Sequence, residues 1–156
     1  MKEQKGKRSM KILLATDGSV HSKAAVKEIA NRPFPPKTRV HIISVIDKVA
    51  LTRYTGPLGV SNEYYAETEH NALKSAEDAN KSAAKILHEK NPLLFITTAV
   101  IEGSPKGAII DEAEKFGADL IVVGSHGYGT VKRFMLGSVS HAVALHAKCS
   151  VEIVRK

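Results

Sequence analysis

Four consecutive apolar residues, Leu120 to Val123, three of them β-branched, stop abruptly at Gly124. An apolar run with no polar alternation reads as a strand buried on both faces, and such strands lie inside parallel sheets covered by helices. Gly127 follows closely, and nine residues then pass before Gly137-Ser138 opens a helical pattern. Positions without a Cβ let the backbone turn sharply and a ligand come close. A helix start adds free N–H groups and a hydroxyl at the positive end of a dipole, which suits a phosphate. The plain alternative is a glycine-rich surface loop with no ligand.

The rest of the chain repeats the strand-turn-helix theme. Lys11 to Thr16 reads as a first strand ending at Asp17-Gly18-Ser19, and Ser19 or Ser22 can cap a helix carrying Ala25, Val26 and Ile29 before Arg32-Pro33 breaks it. Asp17 stands at the C-terminal edge of that strand, where open α/β sheets bind ligands and where ribose hydroxyls or an amino group would donate to it. Its bland role is turn chemistry, since Asp-Gly is a common turn pair. Arg39 to Ile46 is a second strand, residues 48–60 read as a long loop, and Ser61 to Lys90 has the spacing of one long amphipathic helix. Leu93 to Ile101 is a third strand. Ser104-Pro105 then starts a helix that Gly117 ends, a further helix runs from Ser138 to about Ala147, and Ser150 to Arg155 is the last strand. Alternation of this kind predicts an α/β fold with a parallel sheet.

At 156 residues the chain is one domain in size, and it holds a single cysteine, Cys149, so no internal disulfide is possible. No apolar run is long enough to span a membrane, and the basic start has no small-residue cleavage site, so a cytoplasmic protein is expected. The formal charge is +7, but residues 1–11 hold five Lys/Arg against one Glu, and only 5% of residues are aromatic. A basic tail over residues 1–10 on a nearly balanced domain predicts no specific nucleic-acid binding.

Known catalytic patterns are absent. There is no Walker A loop, and Gly127-Tyr128-Gly129 is followed by Lys132 where a dinucleotide motif needs a third glycine. Ser125 lacks the glycine two positions earlier that a hydrolase elbow requires, because Val123 is there. His141 and His146 point to different sides of a helix, so a metal held by protein alone is not expected. Lys132 and Arg133 either reach phosphate oxygens or are solvated loop charges. His126 offers its ring or, as favoured, only its backbone.

The pattern Gly124-x2-Gly127-x9-Gly137-Ser138 after a buried strand resembles the nucleotide loop of the universal stress protein family, in its ATP-binding branch. Ala15-Thr16-Asp17 matches that family's strand end, and the likeness runs from Lys11 to Val154, weakening over residues 48–60. The resemblance implies a single-domain, Rossmann-like open sheet of five parallel strands, order 3-2-1-4-5, with helices on both faces. It implies an ATP site comprising Ala15, Thr16, Asp17, Val45, Gly124, Ser125, His126, Gly127, Lys132, Arg133, Gly137, Ser138 and Val139, with Val45 offering backbone groups to adenine. Mg²⁺ would enter with the nucleotide, nearest Ser138. The implied function is a nucleotide-dependent regulator of stress response with at most slow hydrolysis, since no general base is evident. A phosphotransferase or nucleotidyl-transfer enzyme and a nucleotide-free interaction protein are the alternatives. The last strand, interrupted only by Glu152, presents an unpaired edge, and the resemblance implies a homodimer paired through it about a two-fold axis.

Overall fold

The computed structural model describes residues 9–53, 61–127 and 135–156. Its strands are β1 (Lys11–Ala15), β2 (Arg39–Ile46), β3 (Phe95–Glu102), β4 (Leu120–Gly124) and β5 (Ser150–Val154). They form one parallel sheet in the order β3-β2-β1-β4-β5, as the sequence led us to expect. The helices are α1 (Val20–Ala30), α2 (Lys48–Arg53), α3 (Asn62–Lys90), α4 (Pro105–Phe116) and α5 (Ser138–His146).

Alternation along the strands explains why they read as unbroken apolar runs. Ile12, Leu14, Val40, Ile42 and Val122 face one layer with Val26 and Ile29 of α1 and Leu87 of α3. Leu13, Ile43, Ile121 and Val123 face the other layer with Ile109 of α4 and Val143 of α5. Each fully buried Ile or Leu contributes about 1.5–3 kcal/mol, so the two layers together fix the register. At the N-terminal ends of the strands, Lys11 N–H donates to Asp119 Oδ2 at 2.8 Å, and Asp119 N–H returns to Lys11 O at 2.8 Å.

Local signals set the helix ends. The Ser19 hydroxyl accepts from Ser22 N–H at 3.2 Å and the Ser61 hydroxyl from Tyr64 N–H at 3.3 Å, satisfying first-turn donors of α1 and α3. Gly117 ends α4 at φ 68°, the left-handed conformation that glycine adopts without strain.

Two sequence expectations are corrected, and a third is refined. Residues 48–60 do not begin as a loop: α2 forms because Asp47 Oδ1 accepts from Ala50 N–H at 2.9 Å. Lys48 then anchors α2 through ion pairs with Glu69 at 2.6 Å and Glu102 at 2.7 Å. Hydrogen bonds to Glu102 first and Glu69 second raise the Lys48 ammonium pKa above its ordinary value. Residues 54–60 lie outside the described part. The third strand starts at Phe95 and not at Leu93, because Leu94 N–H donates to Asn91 O in a turn and Leu93 is left exposed. Ser104 stands at the α4 N-cap without a side-chain bond; its carbonyl accepts from Gly107 and Ala108 N–H instead.

Candidate functional site

Where β1, β2 and β4 end, the chain diverges and leaves a cavity of ≈ 420 Å³, within the range of small-ligand sites. β1 contributes Ala15 and the following Thr16-Asp17; β2 contributes Ile43 and Val45. Gly124, His126 and Gly127 come from the end of β4, and Gly137 to Ser140 from the start of α5. Thus the structure brings ten of the residues expected from sequence to one cavity: Ala15, Thr16, Asp17, Val45, Gly124, His126, Gly127, Gly137, Ser138 and Val139. Ser125 is not among the lining residues. Lys132 and Arg133 lie outside the described residues.

Ser125 is 2% exposed and works behind the loop. Its N–H donates to Val154 O at 2.8 Å, and its carbonyl accepts from Gly137 N–H at 2.8 Å and the Ser140 hydroxyl at 2.9 Å. These bonds close the neck of the glycine loop and fix the first turn of α5 beneath it. With Gly137 at the N-cap, the N–H groups of Ser138, Val139 and Ser140 have no partner within the helix, and they open beside the cavity. The burial of Ser125 also removes it as a nucleophile.

The glycines serve close approach, and each for its own reason. A Cβ at Gly124 would lie 2.6 Å from His21 C and 2.7 Å from Ser22 N, so this glycine lets the first turn of α1 rest on β4. A Cβ at Gly137 would lie 3.0 Å from Ser125 O and 3.2 Å from His126 Cα, inside the neck. At Gly127 it would lie 2.7 Å from Asp17 Oδ2. Asp17 takes the turn role, Oδ1 accepting from Ser19 N–H at 2.9 Å, and it also lines the cavity, with Oδ2 in the space that a Cβ on Gly127 would need.

The His126 ring gains a part that the sequence reading set aside. Its Nδ1 is 3.0 Å from the Ser125 hydroxyl, and its ring tilts against that of His21 at a centroid distance of 5.1 Å. Its Nε2 is buried with no hydrogen-bond partner among the described residues. A buried imidazole nitrogen left unpaired costs free energy.

Sequence reasoning missed Ser22, Ile43, Pro105, Ile109, Val123 and Ser140 as lining residues. Pro105 and Ile109, four apart on α4, carried a signal of a shared helix face; Ser140 carried none, since its role depends on a carbonyl fifteen residues away. The lining is largely apolar, with Asp17 its one carboxylate, and no Lys or Arg is among the described lining residues. An apolar slot with a carboxylate at one side and free helical N–H groups at the other can take a flat ring, a hydroxylated sugar and an anionic tail. No group of three or more potential metal-ligating side chains occurs among the described residues.

Residues 9–155 match the model of the universal stress protein family. The chain belongs to the universal stress protein family. It is 34% identical over 147 residues to universal stress protein MJ0531 of Methanocaldococcus jannaschii, a match covering 94% of this chain and 82% of that protein. Among solved structures, the hypothetical protein MJ0577 superimposes with a TM-score of 0.80 at 25% identity, covering 94% of this chain and 95% of the other. A universal stress protein family protein of Arabidopsis thaliana, solved with AMP bound, shares the fold at a TM-score of 0.65 and 18% identity, covering 94% and 92%. The five-stranded universal stress fold is therefore the frame in which this cavity sits. None of the described helices is long and apolar enough to cross a membrane.

Proposed function

We propose that this universal stress protein binds an adenine nucleotide, ATP with Mg²⁺, in the ≈ 420 Å³ cavity, and acts as a single-domain cytoplasmic regulator whose nucleotide state selects its partners. The observation that carries the reading is the convergence of Asp17, Val45 and the start of α5 on one cavity. Adenosine lies between Asp17 and Val45, and the phosphates lie at Gly127 and Gly137 to Val139. The residues fit the group: the free N–H groups at the start of α5 suit the phosphates, and the Asp17 carboxylate suits the ribose hydroxyls. Asp17 Oδ2 stands close to Gly127, so two negative groups would approach one another. A divalent cation brought by the phosphates, near Ser138, relieves that repulsion. Hydrolysis is slow in this reading, because the Asp17 carboxylate is engaged in its turn and Ser125 is buried.

Titration calorimetry with Mg²⁺-ATP tests this directly. Binding by the parent and its loss in Gly137→Val, where a branched side chain would enter the neck, is the expected pair of results. A Gly137→Val protein that binds ATP as tightly as the parent would overturn the phosphate assignment. Mass spectrometry of ligand released from protein purified without added nucleotide identifies which nucleotide is preferred. In the same reading two copies pair antiparallel through β5, and Val151→Pro, which removes an edge donor, yields monomers by light scattering. Deleting residues 1–10 removes whatever salt-sensitive retention on DNA the chain shows.

A further inference from the structure

In a parallel sheet a residue offers both its N–H and its C=O to one neighbouring strand, and the next residue offers them to the other. Thr16 N–H donates to Ile43 O at 2.9 Å, and Gly103 N–H donates to Ile46 O at 3.0 Å. On β2, therefore, Ile43 faces β1 and Ile46 faces β3. Val45, two residues past Ile43, faces the β1 side again, at the cavity. Since Ala15 lies opposite Ile43, a ladder continued by one step would bond Val45 N–H to Thr16 O, and Gly18 N–H to Val45 O.

Side-chain hydroxyls take both of those partners. The Ser44 hydroxyl donates to Thr16 O at 2.6 Å. Gly18 N–H donates to Thr16 Oγ1 at 3.3 Å, and Gly18 turns the chain at φ 78°. A hydroxyl has one hydrogen, and Ser44 has a second acceptor near it, Asn80 Oδ1 at 2.9 Å. The shorter contact, to Thr16 O, receives the hydrogen. Asn80, held to Ala99 O through Nδ2 at 2.8 Å, bounds the hydroxyl from the α3 side.

We propose that Ser44 and Thr16 are positioning residues, which take up the two ladder partners of Val45 and so leave its N–H and C=O open toward the cavity. The pair then matches a ring edge that presents an acceptor beside a donor, as adenine does, and this rests on the adenine-nucleotide reading above. Ser44 and Thr16 need not touch the nucleotide. They act by keeping β1 from closing on Val45.

Residue-resolved amide hydrogen exchange on the ligand-free full chain tests the idea without any nucleotide. In the parent, the Val45 amide exchanges much faster than that of Ile43. In Ser44→Ala, Thr16 O is released to capture Val45 N–H, and Val45 exchange slows at least tenfold. A merely structural role for Ser44 predicts the opposite sign, since a loosened strand end exchanges faster. Alongside, calorimetry with ATP as the probe should show Ser44→Ala binding about tenfold more weakly, the size of one lost hydrogen bond. Protection of Val45 equal to that of Ile43 in the ligand-free parent, or unchanged Val45 exchange in Ser44→Ala, would overturn the proposal. So would Ser44→Ala binding ATP as tightly as the parent. A parent that fails to bind ATP would overturn the nucleotide reading instead, and the exchange result would still stand or fall by itself.

Discussion

The two ends of the sheet are held by different chemistry. At the C-terminal end a set of polar side chains is short, uncharged and buried: Thr16, Ser19, Ser22, Ser44, Asn80, Ser125 and Ser140 are each at most 5% exposed, and they join strands to one another and to the helices. Thr38 is the only other buried polar residue among those described. At the N-terminal end the polar groups are long, charged and near the surface. Lys11 donates to Phe116 O at 3.2 Å with its ammonium 5.5 Å from that ring centre. His41 sits between Thr97 Oγ1 at 2.7 Å and Glu112 Oε1 at 3.4 Å. Arg32 forks onto Glu152 with two bonds of 2.6 Å and reaches Glu28 as well; these bonds, Glu152 first, raise its pKa further above the ordinary value. Long side chains absorb a shift of the backbone by changing rotamer, whereas a hydroxyl on one rotatable bond cannot. Rigid, neutral groups therefore dominate around the cavity, with the Lys48 ion pairs to Glu69 and Glu102 tying α2 to the outer part of the same end, and adjustable charges dominate at the opposite end.

The contrast breaks most visibly at Gly124, the tightest point of the cavity end. Gly124→Ala pushes a methyl group into the His21 and Ser22 backbone and should cost about 3 kcal/mol in denaturant unfolding. Gly107→Ala in α4 is its control: a Cβ there meets nothing within 4 Å, and helix propensity predicts a gain of about 0.8 kcal/mol. If both substitutions had the same effect, the packing account of Gly124 would fail. A double-mutant cycle on Arg32 and Glu152 should return a coupling of about 0.5 kcal/mol that shrinks with added salt, because these groups are partly solvated. A salt-independent coupling several times larger would erase the distinction between the two ends. The smallest effect is expected at Asn80→Leu. Ala99 O keeps its ladder bond and Ser44 keeps Thr16 O, so stability in thermal unfolding should change by less than about 1 kcal/mol. A loss well beyond that would mean the neutral network serves stability and not geometry.

Most of the frame was legible in the sequence because it is local. Leu120 to Val123 announced a strand buried on both faces, Ser19 and Ser61 announced helix starts, and Gly117 announced a helix end. The glycine spacing brought Gly124, Gly127 and Gly137 to one cavity, but it carried no sign that Gly124 also lies against the backbone of His21 and Ser22. Ser44 and Asn80 were invisible for the same reason. A serine inside an apolar strand reads as filler, and an asparagine in Glu77-Asp78-Ala79-Asn80 reads as part of a solvated helix face. Only the tertiary arrangement brings Ser44 to Thr16 O. The helix α2 was missed through its cap, since Asp47 looked like the end of a strand and not the beginning of a helix.

The neck at Ser125 has one more consequence. Because Ser125 O and Gly137 N–H meet at 2.8 Å, the chain that leaves the end of β4 is tied to it again at the start of α5. Closing a chain segment between two fixed points costs free energy that grows only with the logarithm of its length, about 0.6 kcal/mol for each doubling. A change in the number of residues between these two tied points therefore costs the sheet little, and the frame tolerates variation in length there.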